Sequence, residues 1–267
     1  MQARRTFAIV LRQFYLFRGS ISRLLPLFAW VAIDIVLWGF ITRYLNSVAS
    51  PGFSFVPVLL GAVLMWDFFT RVMQGVTMAF FEDVWSRNFL NIFASPISIP
   101  EYLAGLVISG IVTSAIGLAV MLVLSSVGFG LSLLAYGAML APFLLVLLVF
   151  GIALGIVGCT IVLRLGPSAE WFVWPIPGLL SPFAGVFYPV STLPVWMRAV
   201  SRVLPPSYIF EGMRAIVLGG HASRASLAAG SALAVLYLLG ACVLFTYVYR
   251  QAVRTGLIAR YSAESVS

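Results

Sequence analysis

No lysine occurs in this chain of 267 residues, and histidine occurs once; all 16 basic residues are arginine. Charged residues make up 9% of the sequence, against about 25% in an ordinary soluble domain. Each shortage excludes something. A phosphate-cradling loop of the usual kind needs a lysine to reach the phosphates, so this chain cannot hydrolyse a nucleotide that way on its own. His221 lies alone in a polar connection, and neither G-x-S-x-G nor H-E-x-x-H is present, so no catalytic residues are expected. Cys159 and Cys242 sit in apolar runs with no disulfide or zinc spacing, so no metal ligands are expected either. The N-terminus, MQARRTF, lacks the short apolar core and small-residue cleavage site of a signal peptide.

What is abundant is apolar. Hydrophobic residues reach 62%, leaving too few polar side chains to coat a globule, so the surplus must face lipid. A net charge of +8 would suggest nucleic acid in a soluble protein. Here the arginines cluster at the ends of apolar runs, which suits anionic headgroups and orientation control. Membrane lipids are the expected contact, and no nucleic acid. The expected fold class is an all-α integral membrane protein of about six transmembrane helices, forming one transmembrane domain over 1–267.

Residues 1–22 read as an amphipathic interfacial helix: Phe7, Val10, Phe14 and Phe17 recur at helical spacing opposite Arg4, Arg5 and Arg12. The alternative is a plain extension of the first span. Spans are expected at 24–42, 57–80, 101–127, 134–163, 171–187 and 227–249, the first two near the roughly 20 residues a bilayer requires. The fifth holds Pro175, Pro177 and Pro182 and is expected to be broken or kinked. Between the second and third, residues 82–94 read as a short amphipathic helix. It carries Glu82, Asp83, Arg87 and Asn88 among Trp85 and Phe89, and Ser95-Pro96 ends it. Residues 188–226 are too apolar for an ordinary loop and too broken for a span. They read as helices that dip into the bilayer and return, which is tolerated where protein or a wet cavity covers the backbone. Residues 250–267 form a tail. With the N-terminus in the cytoplasm, about two arginines fall inside for each one outside, so both termini are expected to be cytoplasmic.

Gly105, Ser109, Thr113 and Gly117 form a small-residue stripe on the third span, echoed by Gly151 and Gly155 on the fourth. Such stripes let helix backbones approach closely in lipid. Asp34, Asp67 and Arg71 are ionisable residues inside spans, where charge is costly and marks a functional hypothesis. Asp67 and Arg71 are four apart and can pair on one helix face. Asp34 can pair with Arg71 across helices, line a polar cavity, or be neutral.

The stretch FYPVSTLPVWMRAVSRVLPPSYIFEGMRAIVLGG, Phe187 to Gly220, resembles the C-terminal signature of the ABC-2 family of export permeases. That signature reads approximately P-x-S-x-L-P-x-W, then L-P-x-x-Y-x-x-E-x-x-R. Pro189, Ser191, Leu193, Pro194, Trp196, Leu204, Pro205, Tyr208, Glu211 and Arg214 meet it. Ser95-Pro96-Ile97-Ser98 is similar to a second element of the family, and the six-span layout agrees. The resemblance implies the transmembrane half of an ATP-driven exporter in a bacterial cytoplasmic membrane. Two permease copies, a homodimer of this chain, would work with two ATPase subunits. ATP and Mg would be bound by the ATPase, and no cofactor by this chain. Residues 82–94 would be the coupling helix seated in the ATPase. Trp85 and Phe89 would be apolar anchors, with Glu82, Asp83, Arg87 and Asn88 at the rim. The helices after Tyr188 would narrow the external exit, with a path between the first, second and fifth spans. Drugs, lipids and lipid-linked sugars are all compatible as substrates. The rival readings are a secondary transporter or channel working without an ATPase, a lipid-modifying enzyme, and a membrane scaffold.

Overall fold

In lipid, helices gain little from hiding apolar surface from one another, so the sites of closest backbone approach decide the packing. The computed structural model describes residues 2–18, 21–48, 55–86, 92 and 95–256, and every regular element among them is helical. Helix α1 spans Ala3–Arg18, α2 Ile21–Val48 and α3 Gly61–Trp85, the last entered through a π-helical turn at Val56–Leu60. Helix α4 spans Ile99–Phe129. A 3-10 segment, Leu133–Met139, leads into α5, Leu140–Leu165. Short helices α6 (Glu170–Val173), α7 (Ile176–Ala184), α8 (Val195–Ser201) and α9 (Pro205–Val217) follow, and α10 spans Arg224–Arg254.

Among the described residues five helical stretches are long and apolar enough to cross a bilayer: Ala29–Val48, Val56–Trp85, Ile99–Phe129, Ala135–Leu165 and Arg224–Arg254. At 1.5 Å per residue, the 31 residues of α4 and of α10 run to about 46 Å, so they tilt or reach beyond the roughly 30 Å hydrocarbon core.

Helix α3 is central, with α4 on one side and α5 on the other, and α10 covers α5. Glycine sets these distances. A Cβ on Gly75 would stand 2.8 Å from the Cα of Gly110, so α3 and α4 touch backbone to backbone. On the other side Gly151 and Gly155 of α5 receive Val72 and Val76 of α3, each within 2.9 Å of where a Cβ would be. The expected stripe on α4 divides its work: Gly105 admits Ile9 of α1, whereas Gly117 admits the Arg71 side chain. Aromatic pairs fill the remaining space. Phe69 stacks on Phe150 at 5.4 Å, Phe150 meets Tyr237 edge-on at 5.2 Å, and Phe80 meets Phe245 at 6.3 Å. Each such pair adds about 0.5–1.5 kcal/mol beyond simple burial, and together they tie α3, α5 and α10 to one another.

The fifth expected span, 171–187, is not one helix. Pro175 lacks an N–H and its ring crowds the preceding turn, so the chain breaks between α6 and α7. The segment still climbs through the bundle. Val173 packs where a Cβ of Gly158 would lie, beside Thr77, and Phe187 stacks on Trp38 of α2 at 4.8 Å. The expected second span and coupling helix also divide differently. Helix α3 continues without interruption to Trp85, so Glu82, Asp83 and Trp85 belong to its last turn.

Helix α1 packs on α4, so it does not simply extend α2. Helices α8 and α9 gather at the opposite end of the bundle, where Gly212 meets Phe143 near the start of α5. Beyond them, α2 leaves a stripe of Trp30, Ile33, Leu37, Phe40 and Tyr44 largely uncovered among the described residues. Lipid or a second protein must cover it.

Candidate functional site

The end of the bundle that carries α1 holds a buried polar lock. Asp83, in the last turn of α3, is fully buried. It accepts an ion pair from Arg12 of α1 and a 2.7 Å hydrogen bond from the Tyr102 hydroxyl of α4. Burial works to lower the Arg12 pKa, but the hydrogen bond and charge of Asp83 outweigh it and hold the guanidinium above its ordinary value. One turn earlier Gln13 donates to the Ala79 carbonyl at 3.3 Å. At the first turn of α4, Glu101 accepts from its own helix start, Ser98 N–H, at 3.0 Å, half of a capping box. Its other oxygen accepts the Gln2 N–H at 2.6 Å, and Arg5 lies 3.7 Å away. Three helices are therefore tied together at the two turns that flank residues 86–98.

This arrangement corrects the sequence reading of Asp83. A carboxylate was expected at the rim of a docking helix; the structure turns it inward, because Arg12 and Tyr102 offer the charge and hydrogen bond that its burial requires. Glu82 is half-buried and Trp85 exposed, its ring 5.9 Å from Phe81. Arg87, Asn88 and Phe89 lie outside the described residues. Sequence reasoning missed Arg12, Glu101 and Tyr102 as lock members. For Glu101 the S-x-x-E spacing from Ser98 was the available signal; nothing in the sequence pairs Arg12 with Asp83.

The intramembrane charges also meet. Arg71 acts electrostatically on Asp67 of its own helix and on Asp34 of α2, and the two carboxylates act on each other. Arg71 rests against Gly117, so the charge cluster lies where α2, α3 and α4 come together. Asp67 Oδ2 and Thr70 Oγ1 are buried there with no hydrogen-bond partner among the described residues.

The proline-rich segment is held by its own polar residues. Gly185 takes a left-handed conformation, φ 63°, and Arg214 donates to its carbonyl at 2.6 Å and to that of Val186 at 3.2 Å. Glu211 accepts from Arg214 at 3.0 Å and from the Val190 N–H at 2.6 Å. Pro189 and Pro194 precede the short helices that follow them, and Pro205 opens α9, each at a position where no N–H is needed. Leu193 is buried, and the Tyr208 hydroxyl closes onto the Arg202 carbonyl at 2.7 Å. Trp196 stands outward with its ring 6.0 Å from Phe183. Every residue of this set except Trp196 thus has a structural task.

With these three clusters in view, the comparison with known families is decisive: residues 5–218 match the ABC-2 type transporter family. The chain belongs to that family. A comparison with curated proteins found no match. An ABC-2 type transporter domain is the membrane component of a transport system, so this is a multi-pass membrane protein and a permease of an ABC-type transporter. The family also implies an ABC ATPase subunit as partner. Among the described residues no three His, Cys, Asp or Glu side chains gather as a metal site would require. The ABC-2 match covers the charge cluster, the proline-rich segment and all of the lock but Gln2.

Proposed function

We propose that this chain exports an amphipathic or glycan-containing substrate across a bacterial cytoplasmic membrane, driven by ATP hydrolysis in a separate nucleotide-binding subunit that holds the ATP and Mg. Two copies of the permease pair about the transport path, and both termini lie in the cytoplasm. The observation that carries this reading is the three-helix lock, seen in a chain of the ABC-2 family. Arg12, Asp83, Tyr102, Gln2 and Glu101 join α1, α3 and α4 on either side of residues 86–98. A push on that segment reaches all three helices as one body, because they cannot move apart without breaking buried charge pairs. Residues 82–94 dock into the ATPase, with Trp85 and Phe89 as anchors and Glu82, Arg87 and Asn88 around them. The motion passes along α3 to Asp67 and Arg71 and across to Asp34, shifting α2 and opening a path bordered by α2, α3 and the broken α6–α7 segment.

Purification from native membranes in mild detergent tests the reading directly. The chain should retain an ABC ATPase, and the complex should hydrolyse ATP. Mass spectrometry of retained small molecules should find an amphiphile or glycan. A chain that purifies without any ATPase, and moves its substrate in vesicles lacking ATP, would refute it.

A further inference from the structure

The proline-rich segment borders an open, solvent-exposed pocket of about 520 Å³ between α8, α9 and the start of α10, at the end of the bundle opposite α1. That volume is in the range of small-ligand sites. Arg198, Arg202 and His221 line it, together with Ser191, Ser223 and Ser226. The fold leaves most of these donors uncommitted. Arg198 uses only Nε, which donates to the Leu193 carbonyl at 2.8 Å. The side chains of Arg202 and His221 make no hydrogen bond or ion pair among the described residues. Ser223 accepts the Ser226 N–H at 3.4 Å, so both hydroxyl protons remain to be given.

Glu211 is the carboxylate in this wall, and it is already balanced from behind. It accepts from Arg214 and from the Val190 N–H, which leaves the two guanidinium groups to set the sign of the cavity. The first turn of α10 opens onto the same space and adds to that sign. The other side of α8 is apolar: Trp196, Val200 and Val203 are 64%, 36% and 51% exposed. A positive, hydroxyl-rich wall thus stands directly beside an exposed apolar surface.

The geometry points to this cavity as a binding site for a phosphate ester of the kind carried by an anionic phospholipid headgroup. Two guanidinium groups match phosphate oxygens in a forked geometry that a lysine cannot reproduce. The serine hydroxyls and the imidazole supply the remaining donors. The apolar flank of α8 gives the attached acyl chains a surface to lie on. Inorganic phosphate offers the same oxygens without the chains. The site rests on the cavity and its donors and stands apart from the choice of transported substrate.

The test uses the full chain in detergent, titrated with phosphatidylglycerol and with uncharged diacylglycerol and followed by native mass spectrometry. Phosphatidylglycerol should be retained in preference to diacylglycerol. Arg202→Gln combined with His221→Gln should weaken its binding at least tenfold, about 1.4 kcal/mol, with the melting temperature unchanged. Arg202→Lys, which keeps charge and loses the fork, should fall between the two. Competition by inorganic phosphate would show that the phosphoryl group alone is recognised; retention of the lipid against phosphate would assign the added affinity to the acyl chains. Equal retention of both lipids by the parent chain, or parent-like phosphatidylglycerol binding by the variants, overturns the proposal.

Discussion

Removing one side of the Arg12–Asp83 pair should cost less than removing the other. Asp83 has no exposed surface, whereas the Arg12 side chain keeps 30% of its own. Arg12→Ala leaves a carboxylate buried with only the Tyr102 hydroxyl to satisfy it, the situation in which breaking a buried pair costs about 3–5 kcal/mol. Asp83→Asn leaves a guanidinium that can extend along α1 towards water, so its loss is that of one charge-assisted hydrogen bond, about 1.5–3 kcal/mol. Tyr102→Phe removes a hydroxyl and should cost about 1 kcal/mol. Thermal unfolding of the purified chain in detergent, read by intrinsic fluorescence, ranks the three. The double variant Arg12→Ala with Asp83→Asn should be more stable than Arg12→Ala alone, because it no longer buries an unpaired carboxylate. Strict additivity of the two single effects would mean that the residues do not interact and would refute the lock.

Four further outcomes follow from other parts of the bundle. Gly75→Ala should destabilise the chain by about 1–3 kcal/mol, since its Cβ would sit 2.8 Å from the Gly110 backbone; Gly240→Ala, with open space around it, should be neutral or slightly stabilising, and equal melting temperatures would refute the α3–α4 contact. Arg214→Lys should lose the simultaneous hold on Gly185, Val186 and Glu211 and make residues 185–192 a site of limited proteolysis, with a protection pattern like the parent's arguing against the tether. Trp85→Ala should leave folding intact, Trp85 being 48% exposed, and separate ATP hydrolysis from transport; normal coupled transport would remove the docking role of this turn. Asp34→Asn should impair transport more than Asp67→Asn, because it removes the charge through which α2 feels Arg71, whereas Asp67→Asn leaves that cross-helix attraction in place; wild-type transport by both would deny the cluster a role.

The membrane class was legible in residue order, because apolar runs of bilayer length have few other ways to be solvated, and so was the break at the prolines of the fifth expected span; the continuation of α3 through Glu82 to Trp85 was not. The Gly-x-x-x-Gly spacing of α5 and the stripe on α4 announced close packing, yet Gly110, which makes the closest backbone contact, lies outside the stripe. The long proline-rich signature identified the family, and its Glu211–Arg214 spacing announced an i, i+3 pair that the structure contains.

Local pattern determined which segments are helical, where they break, and that the chain belongs in lipid; these depend on neighbours within a turn or on the solvent around a single helix. Only the tertiary structure decided that Asp83 faces inward, that Arg12 rather than a partner protein neutralises it, and that Asp34 of α2 comes within the electrostatic reach of Asp67 and Arg71. Such pairings join residues 71 positions apart in the case of Arg12 and Asp83. A charge in a sequence carries no mark of which distant charge will be folded against it, since that choice is made by helix packing and the cost of leaving either one unpaired.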